Sequence, residues 1–323
     1  MIERARGSRQ GGIHTSASVG AGDLGEGVSI GPNAWIGDRT KIGSHTRIAA
    51  GARLEDSVKV GVGVNIGAYA LLSQGVEIGD GTNVGPHVVF AVHGQCESGG
   101  SEVEVCRSRA ESAEPSRVGK YVSIGSNATV LPGVALGDSS TILPGSVVTE
   151  NVPPHAVVSG NPAVILRYSG AETVREVRHS SSTVEMAELP GGARILPLMT
   201  ARDLRGSLSA LEFHSLPWNP ERLFVVHDVP TIETRGEHAH HECEQFLIAL
   251  RGEISVLLDD GNHRTTVRLA TPSLGLLMPP LVWGTQFHFS HDAVLAVLAS
   301  RPYEASDYIR TYEEFLTIVR PET

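Results

Sequence analysis

Two histidines separated by one residue are the side chains whose types and spacing most directly indicate chemistry in this sequence. His238 and His240 lie in residues 235–246 (RGEHAHHECEQF). On a β-strand, residues i and i+2 point to the same face, so the two imidazoles would lie side by side. Burying two polar rings on one face costs free energy unless they bind or react. The spacing therefore indicates a functional site on the inner face of a sheet or barrel.

Two kinds of chemistry suit this pair. A metal site would combine His238 and His240 with Glu244, whose spacing fits a divalent cation. It would need a further histidine within 278–288 (MPPLVWGTQFH). The one histidine there, His288, is the last residue of that segment. Proton transfer needs only groups that titrate near neutral pH, which histidine provides. The residue types allow both chemistries, and because His288 lies at the end of that segment we expect no metal ion.

The surrounding sequence predicts an antiparallel barrel that would hold the two histidines. Apolar runs predict its strands, and an acidic, glycine-containing segment at 259–262 predicts a hairpin turn. Residues 306–319 are predicted to form one closing helix. The predicted strands are 223–227, 243–250, 253–258, 263–269 and 293–299.

The first half of the chain has a different pattern, an apolar residue at every sixth position. Neither the 3.6-residue period of a helix nor the two-residue period of a strand produces such a series. A three-sided coil produces it if each side points one apolar residue into a shared core and Gly or Asn occupies corners with positive φ. The register breaks over 91–117, which predicts a protruding polar loop. The apolar positions are Leu24, Ile30, Ile36, Ile42, Ile48, Leu54, Val60, Ile66, Leu72, Ile78, Val84, Phe90, Val118, Ile124, Val130, Leu136, Ile142 and Val148.

Composition suits β structure and narrows the possible functions. The chain has 323 residues, with 36 Gly, 18 Pro and 5% aromatic residues, which favours two turn-rich domains. The formal net charge of −10 argues against sequence-independent binding to nucleic acid or to an anionic membrane. No long apolar segment or export signal is present, and the 3 cysteines are an odd number. We expect a soluble, cytoplasmic protein with reduced thiols.

Loss of the six-residue pattern sets the predicted domain boundaries. We expect an N-terminal coil at residues 1–170, a linker at 171–192 and a barrel at 193–323. Serine-rich and glycine-rich segments indicate the linker, after a short helix predicted at 172–178. The fold class expected for the whole chain is all-β.

The N-terminal half resembles hexapeptide-repeat N-acetyltransferases that act on nucleotide-linked amino sugars. The resemblance implies a left-handed parallel β-helix that assembles as a trimer and uses acetyl-CoA as co-substrate. The implied acceptor is a TDP-linked amino sugar. The matching segments are 85–90 (GPHVVF), 125–133 (GSNATVLPG), 143–149 (LPGSVVT) and 152–163 (VPPHAVVSGNPA).

The same resemblance implies roles for individual residues. His93 occupies a position that is commonly acidic in the family and is the predicted general base, and His87, where Asn is common, is predicted to bind substrate. Glu150 and Val164 replace lysines that meet the phosphates of CoA, which weakens the attraction for a polyphosphate. A coil kept mainly for assembly is therefore the alternative. The residues predicted to bind acetyl-CoA are Gly125, Ala128, Gly145, Asn161 and Arg167.

The C-terminal half resembles cupin-type TDP-4-keto-6-deoxyglucose 3,4-ketoisomerases. This resemblance implies a jelly-roll barrel and a TDP-linked 6-deoxy keto-sugar as substrate. Family members that join this cupin to an N-acetyltransferase β-helix have the same domain order. The matching segments are 235–240 (RGEHAH), 245–247 (QFL), 258–261 (LDDG), 279–283 (PPLVW) and 307–310 (DYIR).

This second resemblance implies that His238 and His240 exchange protons with the sugar, in an order that the sequence leaves open. Arg235 would pair with the diphosphate, Gln245 would hydrogen-bond the enediol oxygen, and Trp283 would line the sugar or base pocket.

One departure from the family lies in the strand before the histidine pair. The family often has a tyrosine there, whereas residues 223–227 (LFVVH) have none. His227 is the candidate to replace its hydroxyl.

Three hypotheses remain open at this point. The chain is a bifunctional ketoisomerase and N-acetyltransferase, or a ketoisomerase on a trimerising scaffold, or a non-catalytic module that binds a nucleotide sugar. Threefold contacts through the β-helix and twofold contacts through the cupin would give a homotrimer or a hexamer. The stereochemistry at C4 of the isomerase product and the identity of the acyl group are left open.

Overall fold

The computed structural model describes residues 12–91, 115–174 and 189–321, and the chain divides into two compact units, residues 1–169 and 170–323. The predicted fold class is confirmed, because a three-sided parallel β-helix is followed by a cupin-like β-barrel. Among the described helices, none has the length and apolar character needed to cross a membrane. Most of the loop predicted at 91–117, including His93, lies outside the described residues.

The first unit is a stack of two-residue strands that recur every six residues. Each strand pairs in parallel with the third strand after it, so three strands complete one turn and build three parallel sheets. The strands are β1 (Ser18–Val19), β2 (Asp23–Leu24), β3 (Ser29–Ile30), β4 (Trp35–Ile36), β5 (Lys41–Ile42), β6 (Arg47–Ile48), β7 (Arg53–Leu54), β8 (Lys59–Val60), β9 (Asn65–Ile66), β10 (Leu71–Leu72), β11 (Glu77–Ile78), β12 (Asn83–Val84), β13 (Val89–Phe90), β14 (Arg117–Val118), β15 (Ser123–Ile124), β16 (Thr129–Val130), β17 (Ala135–Leu136), β18 (Thr141–Ile142) and β19 (Val147–Val148).

Each repeat contributes two inward positions rather than the one that was predicted. The apolar residue that ends each strand is buried from Ile30 onward, whereas Leu24 stays 36% exposed. The residue four positions later is buried as well, and it is often a threonine or a serine. The hydroxyl groups of Thr40 and Thr82 donate to backbone carbonyls, which removes most of the cost of burying them.

Glycine has two roles in the coils, because it occupies many of the corners with positive φ, as predicted, and it also allows close packing between coils. Gly43 directly follows an inward aliphatic residue, and a Cβ there would lie 2.5 Å from the carbonyl carbon of Gly61 on the next coil. The corners with positive φ come two residues later in each repeat and also hold large side chains, such as Tyr69 (φ 57°) and His87 (φ 57°). At Gly43 the approach of one backbone to the next therefore leaves no room for a side chain.

The β-helix ends in a hairpin, and the chain then enters the second unit as a strand. β20 (Ala156–Gly160) pairs in parallel with β18 and antiparallel with β21 (Ala163–Tyr168). β22 (Ala171–Val174) pairs in parallel with residues 264–267 of the barrel. The helix predicted at 172–178 is therefore wrong over its described part, because the barrel supplies the backbone partners. Residues 175–188 of the predicted linker lie outside the described residues.

In its described residues, the second unit consists of two facing sheets, a separate hairpin and one α-helix. Its elements are β23 (Arg194–Pro197), β24 (Met199–Asp203), β25 (Gly206–Ala210), β26 (Arg222–His227), β27 (Arg235–His240), β28 (Gln245–Arg251), β29 (Ile254–Asp259), β30 (Arg264–Leu269), β31 (Leu274–Met278), β32 (Trp283–Phe287), β33 (Val294–Ala299), β34 (Tyr308–Ile309) and α1 (Tyr312–Val319). One sheet has the order β22-β30-β29-β32-β27-β34 and the other β23-β31-β28-β33-β26. The buried aliphatic core lies between them.

The predicted strands are found close to their expected limits, but the closing helix is shorter than predicted. Residues 305–307 form a 3₁₀ turn, and β34 pairs with β27 before α1 begins. Thr311 caps α1 by accepting a hydrogen bond from the backbone N–H of Glu314. Pairing with the histidine strand therefore takes the place of the first helical turns.

We predict that Gly67→Ala destabilises the β-helix by about 2–3 kcal/mol, because the added Cβ would clash with the backbone of Gly85 and Pro86 on the next coil. Gly63→Ala is the matched control in the same turn. It has φ 68° but nothing within 4 Å of its Cβ position, so it should cost only about 1 kcal/mol. Calorimetric unfolding of both variants checks this, and an equal or larger loss for Gly63→Ala would contradict it.

Candidate active sites

The strand β27, which carries the histidine pair, has a β-bulge just before it. Gly236 pairs with Thr285 of β32 and His238 pairs with Gly284, so Glu237 is an extra residue. Gly236 and Glu237 both have positive φ, 84° and 55°, and glycine is the residue that best tolerates this conformation at a bulge. The bulge therefore determines which side chains of β27 face the barrel interior.

His238 and His240 lie side by side on the inner face of the sheet. Their ring centroids are 4.9 Å apart and the rings meet edge to face. Gly284 lies opposite His238, and a Cβ on it would lie 2.6 Å from the Cε of Met278, a member of the barrel core. Ala239 points to the other face, where it packs with residues of α1. Inward and outward side chains therefore alternate through His238, Ala239 and His240, as expected of a β-strand.

Hydrogen bonds fix the protonated nitrogen of each ring when the imidazole is neutral. His238 Nδ1 lies 2.8 Å from the carbonyl oxygen of Gly236, and His240 Nδ1 lies 2.8 Å from Asp307 Oδ2. Both partners only accept, so both Nδ1 atoms donate. His240 Nε2 then accepts from the side-chain amide of Gln245 at 3.0 Å. Within the described residues His238 Nε2 has no hydrogen-bond partner, so its lone pair is available to a ligand.

Burial lowers the pKa of both histidines below the ordinary value. For His238 the hydrogen bond to Gly236 opposes this effect, whereas the charges of His240 and Arg310 add to it. For His240 the carboxylate of Asp307 opposes the effect of burial, and Arg222 and Arg310 add to it. Both rings are therefore neutral near pH 7, the state in which an imidazole acts as a base.

An aromatic ring and two arginines surround the pair. Tyr308 pairs with His240 across β34 and β27, and its ring centroid lies 4.9 Å from that of His238 and 4.4 Å from that of His240. The guanidinium of Arg310 lies 4.5 Å from the Tyr308 ring centroid. Arg222 is half-buried on β26 and lies over the ring of Phe224. The site thus combines neutral bases, a phenol and positive charge, which suits an anionic substrate that exchanges protons.

The structure brings some predicted residues to this site and not others. Gln245 is buried and bonds His240, as its position suggested, and Arg235 lies exposed at the start of β27. Trp283 packs instead against Tyr312 and Phe315 under α1, on the face opposite the histidines. Its predicted role in lining the sugar or base pocket is not supported by this position, because β32 alternates and its neighbour Gly284 takes the inner face.

His227 does not take the place of a hydroxyl in the site. It is exposed on the outer face of β26 and bonds Asp228, while Arg222, Phe224 and Val226 face inward. The sequence pattern indicated no individual role for Asp307, Tyr308, Arg222 or Arg310. The segment 307–310 was visible as a motif, but only the strand pairing shows that it reaches the histidines.

The metal set suggested by spacing is not assembled. Glu244 accepts a hydrogen bond from the indole N–H of Trp218 at 3.0 Å. The described residues do place donor atoms of His240, Cys243 and Asp307 within 4.8 Å of one another. The proton shared by His240 and Asp307 occupies one side of that cluster, so a metal ion there would break the hydrogen bond that orients His240.

On the β-helix, the corners that follow β12, β15 and β18 form a column of exposed residues. His87, Asn127 and Gly145 each come three residues after the inward residue of β12, β15 or β18, and they are exposed. His87 stacks on Tyr69 of the preceding coil with ring centroids 5.3 Å apart. Asn161 lies at the tip of the hairpin after β20, which runs parallel to β18 and ends at the same edge.

Other residues predicted to bind acetyl-CoA do not share that exposed column. Ala128 is fully buried in the coil, and a Cβ on Gly125 would lie 2.5 Å from the nitrogen of Pro144. These two residues therefore serve coil packing. Arg167 pairs with Val157 near the start of β20, away from the hairpin tip at Asn161.

Comparisons with known proteins agree with this division of the chain. A family model described as FdtA: WxcM-like, C-terminal matches residues 191–320, and one described as a hexapeptide repeat of succinyl-transferase matches residues 115–150. A TDP-4-oxo-6-deoxy-alpha-D-glucose-3,4-oxoisomerase of Aneurinibacillus thermoaerophilus is 43% identical over 114 residues, 35% of this chain and 82% of the relative. The chain belongs to the FdtA, WxcM-like family.

Other relatives match single parts of the chain. A putative acetyltransferase of Staphylococcus aureus (strain COL) is 37% identical over 57 residues, which are 18% of this chain and only 29% of that protein. A solved 3,4-ketoisomerase of Helicobacter canadensis is 38% identical and covers 39% of this chain and 96% of its own, with a TM-score of 0.38. QdtA of Thermoanaerobacterium thermosaccharolyticum, solved with TDP, is 32% identical, covers 40% of this chain and 94% of its own, and has a TM-score of 0.39.

In the WxcM-like domain (residues 191–320), we predict that Asp307→Asn lowers the pKa of His240 further, because the carboxylate favours the protonated imidazole through its hydrogen bond and its charge. NMR titration of histidine ring signals measures this. His238 is the internal control, since a backbone carbonyl holds it instead. A rise in the pKa of His240 would contradict the assigned hydrogen bond.

Proposed function

We propose that the chain is a bifunctional enzyme that acts on TDP-linked 6-deoxy sugars. The WxcM-like domain moves the carbonyl of TDP-4-keto-6-deoxyglucose from C4 to C3 through an enediol. The β-helix transfers an acetyl group from acetyl-CoA to the amine of a TDP-3-amino-3,6-dideoxyhexose. The observation that carries the first activity is the pair of neutral, oriented histidines, in a domain that is 43% identical to a TDP-4-oxo-6-deoxy-alpha-D-glucose-3,4-oxoisomerase.

The geometry supports an order for the two histidines that the sequence left open. Isomerisation begins when a base removes the proton on C3, which the neighbouring C4 carbonyl makes acidic. His238 Nε2 has a lone pair available, whereas His240 Nε2 is held by Gln245. We therefore assign His238 as the base at C3. His240, oriented by Asp307, is assigned to proton return at C4 once substrate has displaced the amide of Gln245 and Nε2 has taken a proton from solvent.

Positive charge beside the histidines supports binding of a nucleoside diphosphate. Arg222 and Arg310 are close enough to the histidines to lower the pKa of His240, and Arg235 is exposed at the start of the same strand. Guanidinium groups pair well with phosphate oxygens. We assign the diphosphate to this group of arginines.

We predict that the purified protein converts TDP-4-keto-6-deoxyglucose to its 3-keto isomer with solvent deuterium at C4, observed by proton NMR in deuterated buffer. His238→Gln should lower the turnover rate by about 10²–10⁴-fold, because the base is lost. His227→Gln, on the outer face of β26, is the matched control and should keep the wild-type rate. Absence of product and of exchange with the wild-type protein would refute the isomerase assignment.

Two features support the proposed acetyl transfer. Residues 115–150 match a hexapeptide-repeat family, and the exposed column at His87, Asn127 and Gly145 leaves space beside the backbone for an extended ligand. Gly145 has nothing within 4 Å of its Cβ position. His93, which lies outside the described residues, is the proposed general base from its place in the sequence. Acetyl-CoA as co-substrate agrees with a cytoplasmic enzyme.

We also propose that the β-helix assembles as a trimer. Four of the seven outward side chains of the sheet that contains β1 are apolar (Trp35, Leu71, Val89 and Val147), and the guanidinium of Arg53 lies over the Trp35 ring. The sheet that contains β2 carries charged outward residues such as Lys41, Lys59 and Glu77. An apolar stripe along one of three faces is suited to burial against another copy. A trimerising scaffold without acetyl transfer remains the second candidate, favoured by Glu150 and Val164 at positions that are lysine in the family.

We predict acetylation of a TDP-3-amino-3,6-dideoxyhexose by acetyl-CoA, followed by release of free CoA thiol. His93→Ala should reduce the rate by about 10²-fold or more, because the amine then lacks a base. His14→Ala, at an exposed position near the start of the described coil, is the control. CoA release that is no faster with the protein than without it would favour the scaffold, and the isomerase rate would then still be measurable on the same sample.

A further inference from the structure

Tyr308 lies where a proton donor to the sugar oxygens would be needed. It is cross-strand partner to His240, so its side chain shares the inner face with the histidine pair. Its ring contacts both imidazoles and is half-buried. In the described parts of the chain, no hydrogen bond reaches the Tyr308 hydroxyl. The phenol is therefore held in place by its ring while its hydroxyl is available to a ligand.

The proposed isomerisation requires proton transfer at oxygen as well as at carbon. When the C3 proton leaves, negative charge develops on O4, and the hydroxyl proton on O3 must leave before the new carbonyl forms. His238 and His240 are assigned to the carbon atoms, and their Nδ1 atoms are engaged by Gly236 and Asp307. The inward residues of β26 (Arg222, Phe224 and Val226) carry no hydroxyl group.

We infer that Tyr308 is a catalytic residue that carries a proton between O4 and O3 of the sugar. This inference rests on the proposed ketoisomerase function. His238 takes the proton from C3, the C–H electron pair forms the C3–C4 double bond, and the former carbonyl pair goes to O4, which takes the phenol proton. The resulting phenolate takes the proton of the O3 hydroxyl, the O3 pair forms the new carbonyl, and the double-bond pair takes a proton at C4 from His240. His240 has first gained that proton at Nε2 from solvent, after the substrate displaced Gln245, and His238 releases the C3 proton to solvent. The phenol and both imidazoles therefore end as they began, and the composition of the substrate is unchanged.

The surroundings of the phenol favour this role. The guanidinium of Arg310 lies over the Tyr308 ring, where positive charge stabilises negative charge on the nearby oxygens during the reaction. Asp307 and Tyr308 are consecutive, so the hydrogen bond that orients His240 also fixes the backbone that carries the phenol. The two consecutive residues Asp307 and Tyr308 therefore position both His240, which returns the proton to carbon, and the phenol that exchanges protons with oxygen.

The test compares Tyr308→Phe with Tyr303→Phe by proton NMR in deuterated buffer. Phe keeps the ring that packs on the histidines and removes only the hydroxyl. Tyr303 is exposed, its ring centroid lies 5.4 Å from that of Tyr308, and its hydroxyl accepts a hydrogen bond from Arg310 at 3.4 Å. Tyr303→Phe is therefore the matched control for loss of a neighbouring hydroxyl that contacts Arg310. We expect Tyr308→Phe to lose about 10²-fold or more in kcat with KM within about threefold, and to lose C3 proton exchange in parallel. Tyr303→Phe should keep kcat within about threefold of wild type.

Several outcomes would overturn the inference. Tyr308→Phe could keep the wild-type kcat, or it could show a higher KM with an unchanged kcat. Tyr303→Phe could lose as much kcat as Tyr308→Phe loses. Affinity for TDP and the unfolding midpoint, measured on both variants, exclude misfolding as the cause of a lost rate. If the wild-type protein neither exchanges the C3 proton nor forms product, the proposed function fails. If it does both and Tyr308→Phe matches it, only the role of Tyr308 fails.

Discussion

The buried hydrogen bond between Asp307 and His240 is the interaction on which the arrangement of the WxcM-like domain depends. Both side chains are 9% exposed, and a buried carboxylate is costly unless its oxygens are satisfied. Asp307 meets this requirement with one oxygen on His240 and the other on the backbone N–H of Glu242. The bond fixes the tautomer of His240 and holds the segment that carries Tyr308 against β27. Burial and the carboxylate act in opposite directions on the pKa of His240, and burial prevails.

A second buried network holds that short segment in place. The hydroxyl of Tyr312, at the start of α1, donates to Asp259 Oδ2 at 2.7 Å and accepts from Arg264 at 2.8 Å. Burial, with the nearby Asp259 charge, raises the pKa of Tyr312 to about 12, so the phenol remains a donor throughout the physiological range. Trp283 packs against Tyr312 on the same face. A residue predicted to bind substrate thus stabilises the helix that follows the active-site strand.

The β-helix positions its candidate site by a different constraint. Coils stack so closely that a Cβ at Gly43, Gly67 or Gly125 would lie within 2.5 Å of the next coil, and successive corners are therefore held in register. Side chains on those corners form columns, as the stacked rings of Tyr69 and His87 show. Such a rigid edge presents an extended surface with little loss of conformational freedom on binding. The two architectures in this chain thus position their candidate sites differently, the barrel by a buried hydrogen bond and the β-helix by close stacking of its coils.

The sequence alone determined the fold class, the repeat and the inner-face pairing of His238 and His240, because each depends on a local period along the backbone. It could not place Trp283, since a single strand pattern does not reveal which face of a sheet meets the core and which meets a helix. Nor could it give roles to Asp307, Tyr308 and Arg222; Asp307, for example, lies 67 residues from His240 along the chain. Only the tertiary structure decided these contacts, because pairing between β27 and β34 depends on how the whole barrel closes.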